Sequence, residues 1–235
     1  MAFYDQGKMK AVTFSFDDGT TQDIRMIELM NKYNLKGTFN LNSGLLGQKG
    51  LLIREGKRIA HYKIHPEHVR SLYEGHEVAV HTLTHKNLTQ FEDDEMIIQQ
   101  VETDRLKLSE LAGYEVVGMA YPCGGVNNND HVAQVIKDHT GVKYSRTITT
   151  NNCFDLQDNL LRFDPTAFYL DFDKLMQLGQ QLVEMKADKP QIFYIWGHAF
   201  EMDYVPDYWL RLEAFFQLIS NRDDIFYGTN KDVLL

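Results

Sequence analysis

A chain of 235 residues with 43% hydrophobic and 24% charged side chains has an ordinary globular composition, and its length suits one α/β barrel of about 200–250 residues. Its 24 Lys plus Arg against 33 Asp plus Glu leave a formal charge of −9, which repels phosphate backbones, argues against nucleic acid as a partner and leaves neutral or cationic substrates open. No apolar run reaches the ~20 residues that span a bilayer, the opening MAFYDQGKMK lacks the apolar core of a signal peptide, and Cys123 and Cys153 are too few for a disulfide framework, so the expectation is a cytoplasmic protein with no membrane partner.

Taken in chain order, short apolar strands alternate with helical patterns. A strand is expected over 11–16, a helix over 21–33 and a second strand over 38–41. The stretch 50–63 reads as an inserted hairpin turning at Glu55-Gly56-Lys57. A helix over 66–73 opens on Pro66, and strands over 77–81 and 116–120 flank a helix over 93–111. A helix over 129–139, a strand over 142–146, a helix over 172–185, a strand over 192–196, a helix over 208–220 and a strand over 225–227 complete the chain. Gly75, Gly113 and Gly141 suit helix stops. Strand–helix alternation implies a mostly parallel sheet, closed as a barrel or open and doubly wound, and in either form chemistry gathers where strands end. The whole chain, 1–235, is expected to form one catalytic domain.

Three strand ends carry candidate chemistry. The first ends in Asp17-Asp18-Gly19, two carboxylates that are costly to desolvate without a cation or donors. The third ends in His81-Thr82-Leu83-Thr84-His85, whose histidines, four apart, would share one side of a helical turn and reach a single ion. The sixth ends in Trp196-Gly197-His198. Each alone fits a solvated turn or a structural histidine. Together, one Asp and two His form a facial ligand set that leaves positions open for water and substrate. A metal so held acidifies its water from 15.7 towards roughly 7, the second carboxylate takes a proton and a histidine protonates the leaving group. Tyr121, Phe200, Tyr204 and Trp209 cluster near the proposed mouth and suit sugar rings or core packing alike; Glu201 either contacts a sugar hydroxyl or amine or faces water.

These residues resemble the polysaccharide deacetylases, the NodB-homology or carbohydrate esterase family 4 group. Thr13-Phe14-Ser15-Phe16-Asp17-Asp18-Gly19 is similar to their first motif, a TFDDG-type strand end with one residue inserted before its second Phe. Gly75 to His85 resembles the second motif with its lead-in, Ala120-Tyr121-Pro122-Cys123-Gly124 the third and Trp196-Gly197-His198 the last. The resemblance implies a distorted (β/α)7 barrel and one divalent metal, zinc first, with cobalt, nickel or manganese also suited to the set. It implies Asp18, His81 and His85 as ligands, Asp17 as general base, His198 as general acid and the backbone N–H of Cys123 as oxyanion donor; Tyr121 and Glu201, from their place near the mouth, are expected at the substrate. The implied activity is removal of acetyl groups from an oligosaccharide or other small carbohydrate, N-acetyl before O-acetyl. A small cyclic amide as substrate, or a non-catalytic carbohydrate-binding relative, are the alternatives. Two departures stand out. The third motif usually begins with an Arg that orients the catalytic carboxylate, and here that position is Ala120; Arg146, ending the neighbouring fifth strand, is expected to supply the guanidinium. The fourth motif, an Asp and Trp pair, has no match among Asp155, Asp158 and Asp164.

Overall fold

The first strand, β1 (Lys10–Asp17), is buried along its whole length because both of its faces are covered. In the computed structural model, which describes Tyr4 and residues 7–235, it pairs in parallel with β2 (Gly37–Leu41) on one side and β9 (Gln191–Gly197) on the other. The sheet continues through β5 (Glu77–Val80), β6 (Gly118–Ala120) and β7 (Tyr144–Arg146) beyond β2, and through β8 (Ala167–Phe168) beyond β9. Its order is β7-β6-β5-β2-β1-β9-β8, and β10 (Ile225–Tyr227) pairs with the first half of β1, along residues 10–12.

One short segment closes the curl. Phe163 donates its N–H to Ser145 O (3.0 Å) and accepts from Thr147 N–H (2.9 Å) on the β7 side. A few residues later Thr166 and Tyr169 donate to Tyr194 O (2.8 Å) and Trp196 O (3.0 Å) on the β9 side. The result is a distorted, parallel barrel, as expected, but its staves differ from those read in the sequence. The two-residue β8 is too short to leave a periodic signal, whereas the strand expected over 225–227 is a side pairing rather than a stave.

Alternation along the staves separates two environments. Phe14, Phe16, Phe39, Val78 and Phe193 point outwards into the main apolar core beneath the helices. Thr13, Ser15 and Asp17 point into the barrel, where they meet Asn230, Asn40 and Arg146. The covering helices are α1 (Asp23–Lys32), α2 (Val69–Leu72), α3 (Asp94–Ala112), α4 (Asp130–His139), α5 (Phe172–Glu184), α6 (Tyr208–Ile219) and α7 (Asn230–Leu234). None is long and apolar enough to cross a membrane. Asp93 and Asn129 cap α3 and α4 by accepting from Glu95 and Val132 N–H. Gly113 ends α3 in the left-handed conformation at φ 83°, as a stop glycine does. Gly141 follows the α4 C-cap Thr140, and an added Cβ there would lie 2.4 Å from the Arg105 guanidinium carbon, so that side chain would have to shift.

The expected hairpin is present as β3 (Lys49–Arg54) and β4 (Lys57–Tyr62), an antiparallel pair outside the barrel sheet. Its base is tied to the turn after β1 by Thr21 N–H to Tyr62 O (2.8 Å) and Ile64 N–H to Gly19 O (2.9 Å). Ile59 on its inner face packs on Phe200 and Tyr204.

Barrel closure depends on Phe163, buried and 5.6 Å from the Tyr194 ring. Phe163→Ala is expected to cost about 3–5 kcal/mol. Urea unfolding checks it: the midpoint falls by the corresponding amount, and a loss below about 1 kcal/mol would show that the closing segment contributes little.

Candidate active site

The end of β1 turns sharply: Asp18 and Gly19 have φ of 83° and 60°, and a Cβ on Gly19 would lie 2.6 Å from Leu41 Cδ2. Asp17 therefore stays in the strand while Asp18 swings to the cavity, its N–H bonded to Asn40 O (3.0 Å). Beyond β5 the chain does not form the helical turn expected of His81 and His85. Left-handed Thr82 (φ 63°) and His85 (φ 58°) fold it back instead, bringing the two rings to 5.0 Å. Asn42 donates to Thr82 O (2.9 Å) and Asp104 of α3 accepts from His81 N–H (3.2 Å), fixing this turn from behind.

Asp18, His81 and His85 each offer one ligand atom, all within 4.8 Å of one another, so they could hold a metal ion. The donors are prepared for one. His81 Nδ1 lies 2.8 Å from Ala120 O; donating there leaves the Nε2 lone pair facing the cavity. Burial pushes His81 down to about 4, and it lowers His85 as well, which favours the neutral imidazole a metal needs. Asp18 Oδ1 is buried and accepts no well-formed hydrogen bond among the described residues, with Lys63 Nζ at 3.2 Å and His85 Nε2 at 3.4 Å from it. Burial also pushes Asp18 up, but His61, Lys63 and other positive neighbours outweigh it and hold its carboxyl well below the usual range.

His61 and Lys63 are residues that sequence reasoning missed. His61 Nε2 lies 3.1 Å from Asp18 Oδ2, and the buried Lys63 donates to Asp18 O (2.6 Å). His61 lies on β4 and Lys63 directly follows it, and no spacing to the other motifs signals them.

Asp17 is 1% exposed and Arg146 is 0% exposed, which makes their contact decisive for each. Arg146 Nη2 lies 2.6 and 2.5 Å from the two Asp17 oxygens; Nε donates to Ser15 Oγ (3.1 Å) and Nη1 to Thr147 O (2.9 Å). The guanidinium carbon sits 4.5 Å from the centre of the Trp196 ring. Arg146 and Ala120 are direct partners in the β6–β7 register, so the guanidinium arrives from the place beside the alanine. Asn40 completes the shell of Asp17 by donating to Oδ1 (2.8 Å). Burial raises the Asp17 pKa, but Arg146, then His81 and His198, outweigh it and leave it below its ordinary value.

His198 follows β9 and places Nε2 4.0 Å from Asp17 Oδ2, the same separation as His81 Nε2. Its Nδ1 lies 3.3 Å from Glu201 Oε2. Burial pulls His198 down, yet Glu201, with Asp17 and Asp18 behind it, raises it to about 9. Glu201 also accepts from Tyr169 OH (2.8 Å) and His198 N–H (3.1 Å), so it is a partner of His198 and not a free contact for a sugar. Tyr121 is fully buried with its hydroxyl donated to Leu161 O (2.8 Å), so it contributes wall and no polar contact. Cys123 has φ 70°, and its N–H has no acceptor among the described residues. Phe200 lines the cavity, Tyr204 packs beneath the hairpin, and Trp209 lies outside the cavity under Arg25 (4.3 Å). Asp155 pairs with Lys189 (2.8 Å) at the surface, and Asp164 accepts from Thr147. The cavity holding Asp17, Asp18, His81, His85, Cys123 and His198 has a volume of about 540 Å³.

The buried ion pair makes a pH-dependent prediction for the protein in chelator. Arg146→Met is expected to cost about 3–5 kcal/mol at neutral pH, because a buried carboxylate loses its partner. With Arg146 present the folded pKa of Asp17 is depressed, so its contribution is complete above the unfolded value of about 3.9 and lost as pH falls through the lower folded value. Without the guanidinium, burial dominates and the folded pKa rises, so the penalty shrinks as pH falls through it. Urea unfolding of both proteins at neutral and mildly acidic pH tests this; a deficit that grows on acidification contradicts it.

Comparison with known proteins agrees with this geometry. The polysaccharide deacetylase family model matches residues 5–144, more than half of the chain. The peptidoglycan-N-acetylglucosamine deacetylase of Listeria monocytogenes is 28% identical over 121 residues, which are 50% of this chain and 22% of that protein; the chain thus spans about a fifth of the length of the curated relatives it matches. The polysaccharide deacetylase Bc1974 from Bacillus cereus superposes with a TM-score of 0.56 at 16% identity, covering 94% of this chain and 91% of its own. The family 4 carbohydrate esterase of Streptomyces lividans gives 0.55 at 14%, covering 93% and 91%. BA3943 of Bacillus anthracis, described as a pseudoenzyme, gives 0.55 at 16%, covering 97% and 66%. At these identities the superpositions speak for the fold, a curled parallel sheet of the distorted NodB type. The family match and the fold together place the chain in the polysaccharide deacetylase family.

Proposed function

We propose that the protein hydrolyses acetyl groups from carbohydrate, N-acetyl in preference to O-acetyl, with one divalent ion, zinc first among the suited metals, held by Asp18, His81 and His85. One observation carries the reading: a carboxylate, Asp17, and an imidazole, His198, flank the candidate ligand set in one cavity, with Asp17 Oδ2 4.0 Å from both His81 Nε2 and His198 Nε2.

The ion supplies Lewis acidity towards the acetyl carbonyl and acidifies water, from 15.7 to roughly 7 in favourable zinc sites. Asp17, ionised at neutral pH, accepts the proton of the attacking water at Oδ2, and Arg146 and Asn40 keep that carboxylate oriented. The Cys123 N–H donates to the carbonyl oxygen as negative charge develops on it, a task that needs a backbone donor and no particular side chain. His198, protonated at neutral pH with its pKa near 9, gives its proton to the departing nitrogen. Base and acid thus start in the protonation states the reaction requires, because their environments push their pKa values apart.

A non-catalytic reading has one observation behind it, the similarity in fold to a pseudoenzyme. Asp17 with its buried guanidinium and His198 with its carboxylate argue against it, since binding a sugar needs neither. Acetate release from N- and O-acetylated sugars, with defined metals added to the metal-free protein, decides between the readings.

Asp17→Asn should retain the metal and lower kcat by about 10²–10⁴; Asp18→Asn should lose the metal. Elemental analysis beside kinetics checks this, and equal metal loss in both variants would remove the division of labour. Glu201→Gln takes away the largest influence raising His198, so the His198 pKa falls and the alkaline limb of the pH–rate profile moves to lower pH. An unmoved limb would mean that His198 is not the acid.

A further inference from the structure

A ligand presents one lone pair to an ion only when its other polar atom is engaged elsewhere. For His81 that engagement is Ala120 O at Nδ1 (2.8 Å). Asp18 poses a harder problem. A carboxylate has two equivalent oxygens, and it can take a cation through one of them or through both. The bond from Asp18 N–H to Asn40 O fixes the backbone and leaves that choice open.

The hairpin breaks the symmetry. The end of β4 and the residues after it run beside the turn that carries Asp18. Thr20 bridges to Lys63, Thr21 N–H donates to Tyr62 O (2.8 Å) and Ile64 N–H donates to Gly19 O (2.9 Å). Lys63 holds the backbone of the turn, donating to Asp18 O (2.6 Å), with Nζ 3.2 Å from Oδ1. His61 holds the side chain. It faces the cavity opposite Gly50, while the adjacent pair, Tyr62 and Lys49, alternates to the outer face with the ammonium 6.0 Å from the ring centre. The His61 side chain is 18% exposed, and its ring stands edge-on to Phe200 with 5.0 Å between centroids. Its Nε2 lies 3.1 Å from Asp18 Oδ2. An ionised carboxylate only accepts, so the ring nitrogen is the donor. That contact engages Oδ2 and leaves Oδ1 on the side of the other ligands, 3.4 Å from His85 Nε2.

We propose that His61 is a positioning residue for the metal: its Nε2–H fixes the Asp18 carboxylate so that Oδ1 alone is offered to a divalent ion. The inference rests on the ligand set Asp18, His81 and His85 of the deacetylase reading, and His61 stands outside that set. A carboxylate held through one oxygen keeps positions around the ion open for water and substrate. Ordering it beforehand also removes a cost that binding would otherwise carry. Hydrogen-bond partners of ligating groups are typically worth about 10–100-fold in metal affinity. The hairpin is then a part of the metal centre as well as a wall of the cavity.

The test needs no turnover. Zn²⁺ is titrated into the metal-free whole protein against a chelator of known affinity, reading both the affinity and the number of ions per chain. His61→Leu removes the donor, and His61→Asn keeps an amide that stops one methylene short. Both should weaken binding by about 10–100-fold with one ion per chain retained. His61→Gln, whose amide nitrogen reaches nearly as far as Nε2, should bind much closer to the original protein than to the Leu variant. Three variants that all bind as the original does overturn the proposal. So does a Gln variant as weak as Leu, because His61 would then be a ligand itself. Fewer sites at unchanged affinity would mean that His61 serves folding alone, which overturns it too. Original protein that takes up no Zn²⁺ sinks the ligand set and this inference together. Uptake indifferent to His61 sinks only this inference, and His61-dependent uptake without acetate release from acetylated sugars sinks only the deacetylase reading.

Discussion

The Arg146–Asp17 pair is the interaction around which the barrel mouth is arranged. A charged carboxylate with 1% exposure and a guanidinium with none cannot persist unless nearly every polar atom is met. The partners come from five staves: Asp17 and Ser15 from β1, Asn40 from β2, Arg146 from β7, Trp196 from β9, and Ala120 of β6 leaving the space beside them. Curling the sheet makes that convergence feasible. In an open sheet of the same order, β7 and β9 would stand far apart, and the segment around Phe163 that joins them also holds the charges together. Stability and chemistry are coupled at this point.

The mouth is strained where function is expected. Asp18, Thr82, His85 and Cys123 all adopt left-handed backbone although none is glycine. Such residues each cost of order 1–3 kcal/mol and persist where their surroundings over-determine them. Here Lys63 clamps the Asp18 carbonyl, and Asn42 and Asp104 clamp the His81 turn.

Much of this was legible in the sequence, and the limits are physical. Strand ends carrying Asp17-Asp18, His81 with His85, and His198 marked the site because parallel staves all deliver their C-terminal ends to one mouth. The role expected of Arg146 required only that the fifth strand lie beside the fourth, which the register of Ala120 with Arg146 satisfies. What stayed hidden depends on long-range contact. His61 and Lys63 reach Asp18 only because the hairpin base pairs with the turn after β1. Tyr121 and Glu201 have the chemistry of sugar contacts, yet Leu161 O and Tyr169 claim their polar atoms first. Two-residue β8 carries no period, and Gly141 answers to Arg105 across a gap no local pattern encodes.

His81 is aimed by the backbone carbonyl of residue 120, so the ligand set is indifferent to the side chain there. The neighbouring position in the ladder, 146, can then host the guanidinium expected at 120 from the third motif without disturbing the imidazole. Two arginines would crowd one carboxylate, and none would leave it buried and alone. Positions 120 and 146 are in this sense adjacent places from which one guanidinium can reach Asp17. A motif scored one column at a time would count Ala120 as damage, whereas scored as a pair with Arg146 the guanidinium against Asp17 is present, carried on the adjacent stave.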